Sequence, residues 1–475
     1  MIFIIAGAAI LFLWLALVRL DWAVLLIIVG LPTYLIRFQV LELPLTFLET
    51  MILIAFFVWF LKTFWPGLKK NLKERSARTN YPYSIEIILM LIISLLAVGT
   101  AGGSASALGI WKAYFFEPIL LFILLFNVLK DKKDWLKILN AFALAVATVS
   151  LLAIFQRLTG LFIANPFWAA EETRRVVSFF GYPNAVGLYL APLIMVLSGG
   201  LAALNWQDGI LVRDRLKKIW FSLTIIISIL AIYFAKSEGA LIGLVAGFFI
   251  FGLCFGRKTR ITILILTVLI GAGLYFSTPV RSLIIEKATL SDLSGSIRRQ
   301  QWKETWAMLS DGRIISGAGL NNYQKAIKPY HQEGIFFNRD HLENFDTRAY
   351  GSAELRAKYW QPVEIYLYPH NIWLNFWSEL GIAGALLFVW ISGKYLFLSW
   401  RLNQKLKRKN DPNKYLALGL LTAMLVVIIH GLVDVPYFKN DLAAMFWIII
   451  ALNASLSLPR IGGNGDGSEL SDKQK

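Results

Sequence analysis

Leu223-Thr224-Ile225-Ile226-Ile227-Ser228-Ile229-Leu230-Ala231-Ile232-Tyr233-Phe234 is the stretch on which the fold turns. It does not alternate in polarity, so it does not read as a strand of a transmembrane barrel, where lipid-facing and lumen-facing residues exchange at every position. A helix fits, because a helix satisfies its own backbone hydrogen bonds inside lipid. Ile261 to Tyr275 reads the same way. Working outward, apolar runs of about seventeen to twenty-five residues, each able to cross a bilayer, recur along the chain. Composition agrees: 57% of the 475 residues are hydrophobic and the mean hydropathy is +0.60, far above what a soluble domain needs for its core. The expected fold is an all-α polytopic membrane protein, a bundle of about 12–13 transmembrane helices with one large extracytoplasmic loop.

The expected spans run over roughly 2–18, 22–38, 46–64, 84–101, 108–129, 138–157, 184–204, 219–235, 239–256, 261–277, 371–398, 415–435 and 441–458. Four regions follow: N-terminal transmembrane helices over 1–277, an extracytoplasmic loop over 278–369, C-terminal transmembrane helices over 370–458, and a Gly-rich, disordered cytoplasmic tail over 459–475. Met1-Ile2-Phe3-Ile4 has no basic region ahead of its apolar run, so the first span reads as retained rather than as a cleaved signal.

Charge sets the expected orientation. The chain carries a formal net charge of +17, with basic clusters at Lys69, Lys70, Lys73, Arg75 and Arg78, at Lys130, Lys132 and Lys133, at Arg213, Arg215, Lys217 and Lys218, at Arg257, Lys258 and Arg260, and at Arg401, Lys405, Lys407, Arg408 and Lys409. These fall on alternate connections and are expected in the cytoplasm, where they orient the protein and meet anionic lipid. That placement accounts for the basic balance without nucleic acid. An odd number of spans puts the N-terminus outside and the C-terminus inside. A single cysteine, Cys254, lies in an apolar span, so neither a disulfide framework nor a thiolate metal site is expected.

The polar loop ends at Tyr368-Pro369-His370-Asn371-Ile372-Trp373-Leu374, and an apolar helix follows through Glu379-Leu380-Gly381-Ile382-Ala383-Gly384. Pro369 sets the turn, Asn371 suits an N-cap, and His370 is a titratable imidazole at a membrane mouth. It is either a base or simply part of the helix cap. Upstream, Ser296 to Trp306 reads as an amphipathic helix in which adjacent Arg298 and Arg299 point about one hundred degrees apart, so one can face a site while the other faces the interface. Lys112 and Glu117 are costly inside a span and either pair or contact a ligand. His430 and Asp434, four apart, are expected to share a helical face and a hydrogen bond, while His331 and His341 are expected in solvated loop.

Spacing in this half of the chain resembles a known family. His370 followed by ten residues and Gly381, Arg298-Arg299-Gln300-Gln301-Trp302 leading to Gly317-Ala318-Gly319, Gly181-Tyr182-Pro183-Asn184-Ala185, and His430-Gly431-Leu432-Val433-Asp434 are together similar to the motifs of the O-antigen ligase and O-antigen polymerase superfamily, which includes protein O-oligosaccharyltransferases. The resemblance covers about Phe180 to the C-terminus. It implies a multi-pass protein of the bacterial inner membrane that moves a glycan from an undecaprenyl-pyrophosphate donor to an acceptor hydroxyl on a glycan, lipid or protein. It also implies catalytic roles for His370 and Arg298 and substrate-binding roles for Arg299, Lys236, Glu238, Asn184 and Tyr368. One position departs from the pattern: where the family carries Ser-Arg-Gly, this chain has Lys236-Ser237-Glu238-Gly239. Lys236 is then a substitute cation, and Glu238 either holds Lys236 or Arg298 in place or contacts sugar.

Such a transfer needs a proton removed from the acceptor hydroxyl and negative charge stabilised on the departing pyrophosphate. A histidine supplies the first and arginine forks the second. No Asp-x-Asp pair stands at a loop–helix junction, and Asp340, Glu343 and Asp346 with His341 suit a solvated face as well as they suit a metal, so no metal and no cofactor is expected. Tyr359, Trp360, Tyr366 and Tyr368 are candidates to stack on sugars. The alternative of another class is a polysaccharide transporter, with Lys112 and Glu117 lining a pathway.

Overall fold

A computed structural model describes residues 2–40, 43–67, 82–129, 132–206, 212–340, 342–345, 348 and 351–457. The basic residues 69–78 and 130, His341, Asp346 and the 459–475 tail lie outside the described residues. Among the described residues ten helices are long and apolar enough to cross a membrane: Phe47–Gly67, Ala105–Val128, Asp134–Thr159, Pro183–Leu204, Arg215–Ala235, Glu238–Phe255, Arg257–Phe276, Ile372–Arg408, Asn413–His430 and Asn440–Ser457. Three shorter apolar helices, Phe3–Val18, Leu20–Val29 and Ser84–Thr100, occupy the other expected positions. The molecule is an all-helical, multi-pass membrane protein.

Two expected spans end early. The helix begun at Leu20 stops at Val29, passes into a 3-10 turn over Leu31–Leu35, and gives way to an antiparallel pair, Arg37–Val40 with Leu43–Thr46. Gly30 and Pro32 explain the stop, since proline lacks the N–H that a continuing helix needs. Thr46 restarts the chain with a capping box: its hydroxyl accepts from Glu49 N at 3.2 Å, and the Glu49 carboxylate accepts from Thr46 N at 3.3 Å. The helix expected to 435 ends at His430, and Gly431 opens a run of turns through Asp434. Asp434 therefore does not sit one helical turn above His430.

Close helix packing brings the site residues together. A Cβ on Gly199 would lie 2.6 Å from the Tyr415 carbonyl oxygen, and one on Gly419 would lie 2.6 Å from that of Met195. Glycine at both positions lets Pro183–Trp206 and Asn413–His430 cross backbone to backbone, as membrane helices do at small residues. The first of these helices is almost wholly buried, whereas Arg257–Phe276 buries no residue against its neighbours and is left for lipid. Lys112, on a π-helical turn over Lys112–Phe116, pairs with Glu49 of another helix rather than with Glu117, which is buried nearby.

The polar segment between Phe276 and Ile372 folds onto itself. It contains helices Thr278–Ala288, Leu293–Ser310, Tyr323–Ile327 and Ala353–Tyr359, and a two-stranded pair of Gly334–Phe336 with Trp360–Pro362. Met308, Leu309, Ala318, Tyr323, Ala326 and Ile327 form its own small core. His331 is not solvated: its Nδ1 meets Glu304 at 3.2 Å and its Nε2 meets the Val363 carbonyl at 3.1 Å, tying the strand pair to the 293–310 helix. Tyr359 is likewise buried, with its hydroxyl on Asp340 at 2.6 Å, so it is not a sugar-stacking surface.

Candidate functional site

Asp292 starts the helix that carries the arginines. Its carboxylate accepts from Gly295 N at 3.1 Å, and glycine is required at 295 because a Cβ would lie 2.6 Å from the Leu290 backbone. Arg298 and Gln301, three apart, share one face of this helix. Arg299 turns away, is exposed, and reaches Ser296 at 3.4 Å. Trp302, one turn after Arg298, donates its indole N–H to the Pro369 carbonyl at 2.9 Å, fixing the helix against the segment that bears His370.

His370 itself adopts φ 47°, a left-handed conformation that non-glycine residues visit sparingly. Asn371 then caps the following helix through Trp373 N and Leu374 N, both at 3.0 Å, and donates to the Leu432 carbonyl. The helix N-terminus is fastened again by Ile372 N on the Gly431 carbonyl at 2.8 Å. Held this way, the imidazole places Nδ1 2.9 Å from Gln301 Oε1, between the rings of Tyr366 and Tyr368 at 4.9 and 5.1 Å. An amide oxygen can only accept, so Nδ1 carries the hydrogen and the Nε2 lone pair is left to take a proton. Burial pushes the imidazole below its ordinary pKa; Asp434 opposes this and Arg298 adds to it. A base that is neutral at physiological pH is the result.

Ten residues beyond His370's neighbour, Gly381 has φ 74° inside the 372–408 helix and breaks it. A Cβ there would collide with the Ile315 carbonyl. Gly317 and Gly319, also at positive φ, let the 315–320 turn press on this break: Ala318 N bonds the Ser378 carbonyl at 2.6 Å and Asn321 N bonds the buried Glu379 carboxylate at 2.6 Å. The histidine end and the glycine end of one helical segment are thus both clamped to the polar segment.

Arg298 also lines a cavity of about 310 Å³, together with Asn184, Lys236, Glu238, Arg175, Lys287, Asp292, His430 and Asp434. Four of the seven expected site residues line it. His370, Tyr368 and Arg299 are not among its lining residues. Glu238 holds neither Lys236 nor Arg298; it pairs with Lys287 at 2.7 Å. Asp434 is not bonded to His430 but accepts from Asn184 Nδ2 at 3.1 Å and from Val435 N at 2.8 Å. Arg298 donates to the Val433 carbonyl at 2.9 Å and to Ser294. Sequence reasoning missed Arg175, Lys287 and Gln301. Arg175 follows a charged run, Glu171-Glu172-Thr173-Arg174, directly ahead of the Gly181–Ala185 motif, and that placement was its one visible signal.

Among the described residues no group of three or more His, Cys, Asp or Glu side chains is placed to hold a metal ion. Asp340, from the expected acidic cluster, is occupied by Lys358 at 2.7 Å and by Tyr359. The described residues thus offer an imidazole flanked by two tyrosines and, on the same 293–310 helix that contacts it, an arginine that lines the cavity. No curated protein matches the chain. Residues 223–389, which hold Arg298, His370, Gly381 and the folded polar segment between the helices, match the family model described as O-Antigen ligase.

Proposed function

We propose that this protein transfers a glycan from a polyprenyl-pyrophosphate donor to an acceptor hydroxyl on the extracytoplasmic face of a bacterial inner membrane. One observation carries the reading: His370, with Nδ1 committed to Gln301 of the helix that bears Arg298, feels the charges of Arg298 and Asp434, two residues that line the cavity. In the transfer, His370 Nε2 takes the acceptor proton while the acceptor oxygen bonds to the anomeric carbon. The bond from that carbon to the pyrophosphate oxygen breaks, and its electron pair leaves with the pyrophosphate, whose charge Arg298 meets through hydrogen bonds. Tyr366 and Tyr368 provide ring faces at the imidazole for a sugar. Because arginine offsets the leaving-group charge, the reaction needs no metal.

The test is turnover of a purified lipid-linked oligosaccharide by the protein in lipid nanodiscs, read as free pyrophosphate lipid together with glycosylated acceptor. His370→Ala is expected to lower turnover at least about a hundredfold, the scale of a positioned general base. EDTA is expected to leave turnover intact. Donor translocation across vesicles without release of pyrophosphate lipid overturns the proposal in favour of a transporter, and near-normal turnover by His370→Ala reduces the histidine to a helix cap.

A further inference from the structure

The cavity beside Arg298 holds more positive charge than its carboxylates neutralise. Of the three acidic residues lining it, Glu238 and Asp292 both close on one ammonium: Lys287 Nζ lies 2.7 and 2.9 Å from the Glu238 oxygens and 2.8 Å from Asp292. The third, Asp434, is occupied by the Asn184 amide. Arg175, Arg298 and Lys236 have no carboxylate within ion-pair distance among the described residues. Three cations without a contacting carboxylate, in a cavity whose four cations exceed its three carboxylates by one, suit an anion whose oxygens several of them can share.

Arg175 is the built component. It comes from the segment before Pro183–Trp206 and, among the described residues, is tied down only by neutral oxygens: Nε to the Ala235 carbonyl at 3.0 Å, and Nη2 to the Asn184 side-chain oxygen at 3.1 Å and to the Lys236 carbonyl at 3.2 Å. These bonds leave the Nη1 hydrogens of the guanidinium unspent. Asn184 works as a two-sided spacer: its amide nitrogen is fixed by Asp434, and its oxygen is thereby turned to Arg175. Lys236, at φ 51°, turns the backbone so that both carbonyls at the end of the 212–235 helix aim at the guanidinium. Burial lowers the Arg175 pKa, Glu238 opposes the shift and Arg298 adds to it, so the two guanidinium groups feel one another.

We propose that Arg175 is the second phosphate-binding arm of the site, working with Arg298, and that it supplies the cation missing at Glu238, where the resembled family carries arginine. Asn184 and Asp434 are positioning residues that aim it. Glu238, held by Lys287, belongs to the wall of the cavity and does not bind the anion. The ligand class is a pyrophosphate ester, so this assignment rests on the proposed reading of the site.

The experiment measures binding of inorganic pyrophosphate to the full chain in nanodiscs of zwitterionic lipid. Arg175→Ala is expected to weaken binding at least about tenfold with an unchanged melting temperature, and Arg175→Lys to weaken it by an intermediate factor, since a lysine keeps charge without the fork. Asp434→Asn is expected to weaken it less than Arg175→Ala, because it perturbs only the aim. If Arg175→Ala does not fold, Arg175→Lys decides. Wild-type affinity in the variant that folds overturns the proposal, as does an effect seen only with vesicles of anionic lipid. A wild-type protein that transfers glycan while Arg175 variants bind pyrophosphate normally sinks this inference alone. Pyrophosphate binding that depends on Arg175 without any glycan transfer sinks the proposed function instead.

Discussion

At His370, burial and charge set the pH at which the site works. Burial and Arg298 lower the imidazole pKa and Asp434 raises it, so the neutral form persists to a pH below the ordinary value of about 6.5. A base must be unprotonated, so activity is lost as pH falls through the folded pKa and is flat above it. The acid limb of kcat/KM is therefore expected below about 6.5. Asp434→Asn removes a raising charge and should move that limb further down. Arg298→Gln removes a lowering one and should move the limb of its residual activity up. A limb at or above the free-imidazole value, or one that ignores both substitutions, sinks the assignment of His370 as the base. His370 and Arg298 were legible in the sequence because each sits at a marked place, a loop–helix junction and a fixed distance from a tryptophan. Arg175 and Gln301 were not. What makes them matter is a set of non-local hydrogen bonds, to Asn184, Ala235 and His370, that no local pattern encodes.

The helix over Ile372–Arg408 shows how an element is tuned by one residue. Read as sequence it is an apolar span with glycines at several positions; the spacing from His370 marks Gly381, but nothing local says that the helix breaks there and not at Gly393. Packing separates them: at Gly381 the backbone is left-handed and the Ile315 carbonyl occupies the space of a side chain, while at Gly393 nothing lies within 4 Å. Gly381→Ala should cost about 1–3 kcal/mol from backbone strain, with the steric clash in addition. It should also loosen the clamp between the 315–320 turn and the helix that presents His370. We expect a clear fall in the midpoint of thermal inactivation in detergent and a loss of transfer, against no measurable change for Gly393→Ala. Equal midpoints for the two variants would show that the break in the helix is not held by the polar segment. The same reasoning explains why the second expected span was drawn too long. Apolar residues continue past Gly30, but Pro32 and the capping box at Thr46 redirect the backbone into a hairpin.

Over the whole molecule, the apolar segments were readable because a membrane helix must be long and continuous, whereas the fold of the 277–371 segment was not, since its small core comes from a few residues between Met308 and Ile327 on elements too short to show a period. Orientation is a further consequence of charge. The 372–408 helix begins two residues after His370 and ends on Lys405, Lys407 and Arg408, and at about 1.5 Å per residue it is long enough to put its two ends on opposite sides of a bilayer. Basic residues are retained on the cytoplasmic side, so the proposed function has the folded polar segment and the site facing outward, where lipid-linked glycans would be consumed. In a Cys254→Ser background, Glu354→Cys and Lys409→Cys, both at exposed positions, should react oppositely with a membrane-impermeant maleimide added to intact cells. Position 354 is expected to label at once, and position 409 only after the membrane is permeabilised. The reverse pattern would place His370 and the cavity in the cytoplasm, separate the base from an extracytoplasmic acceptor, and require a different reaction for the same arrangement of side chains.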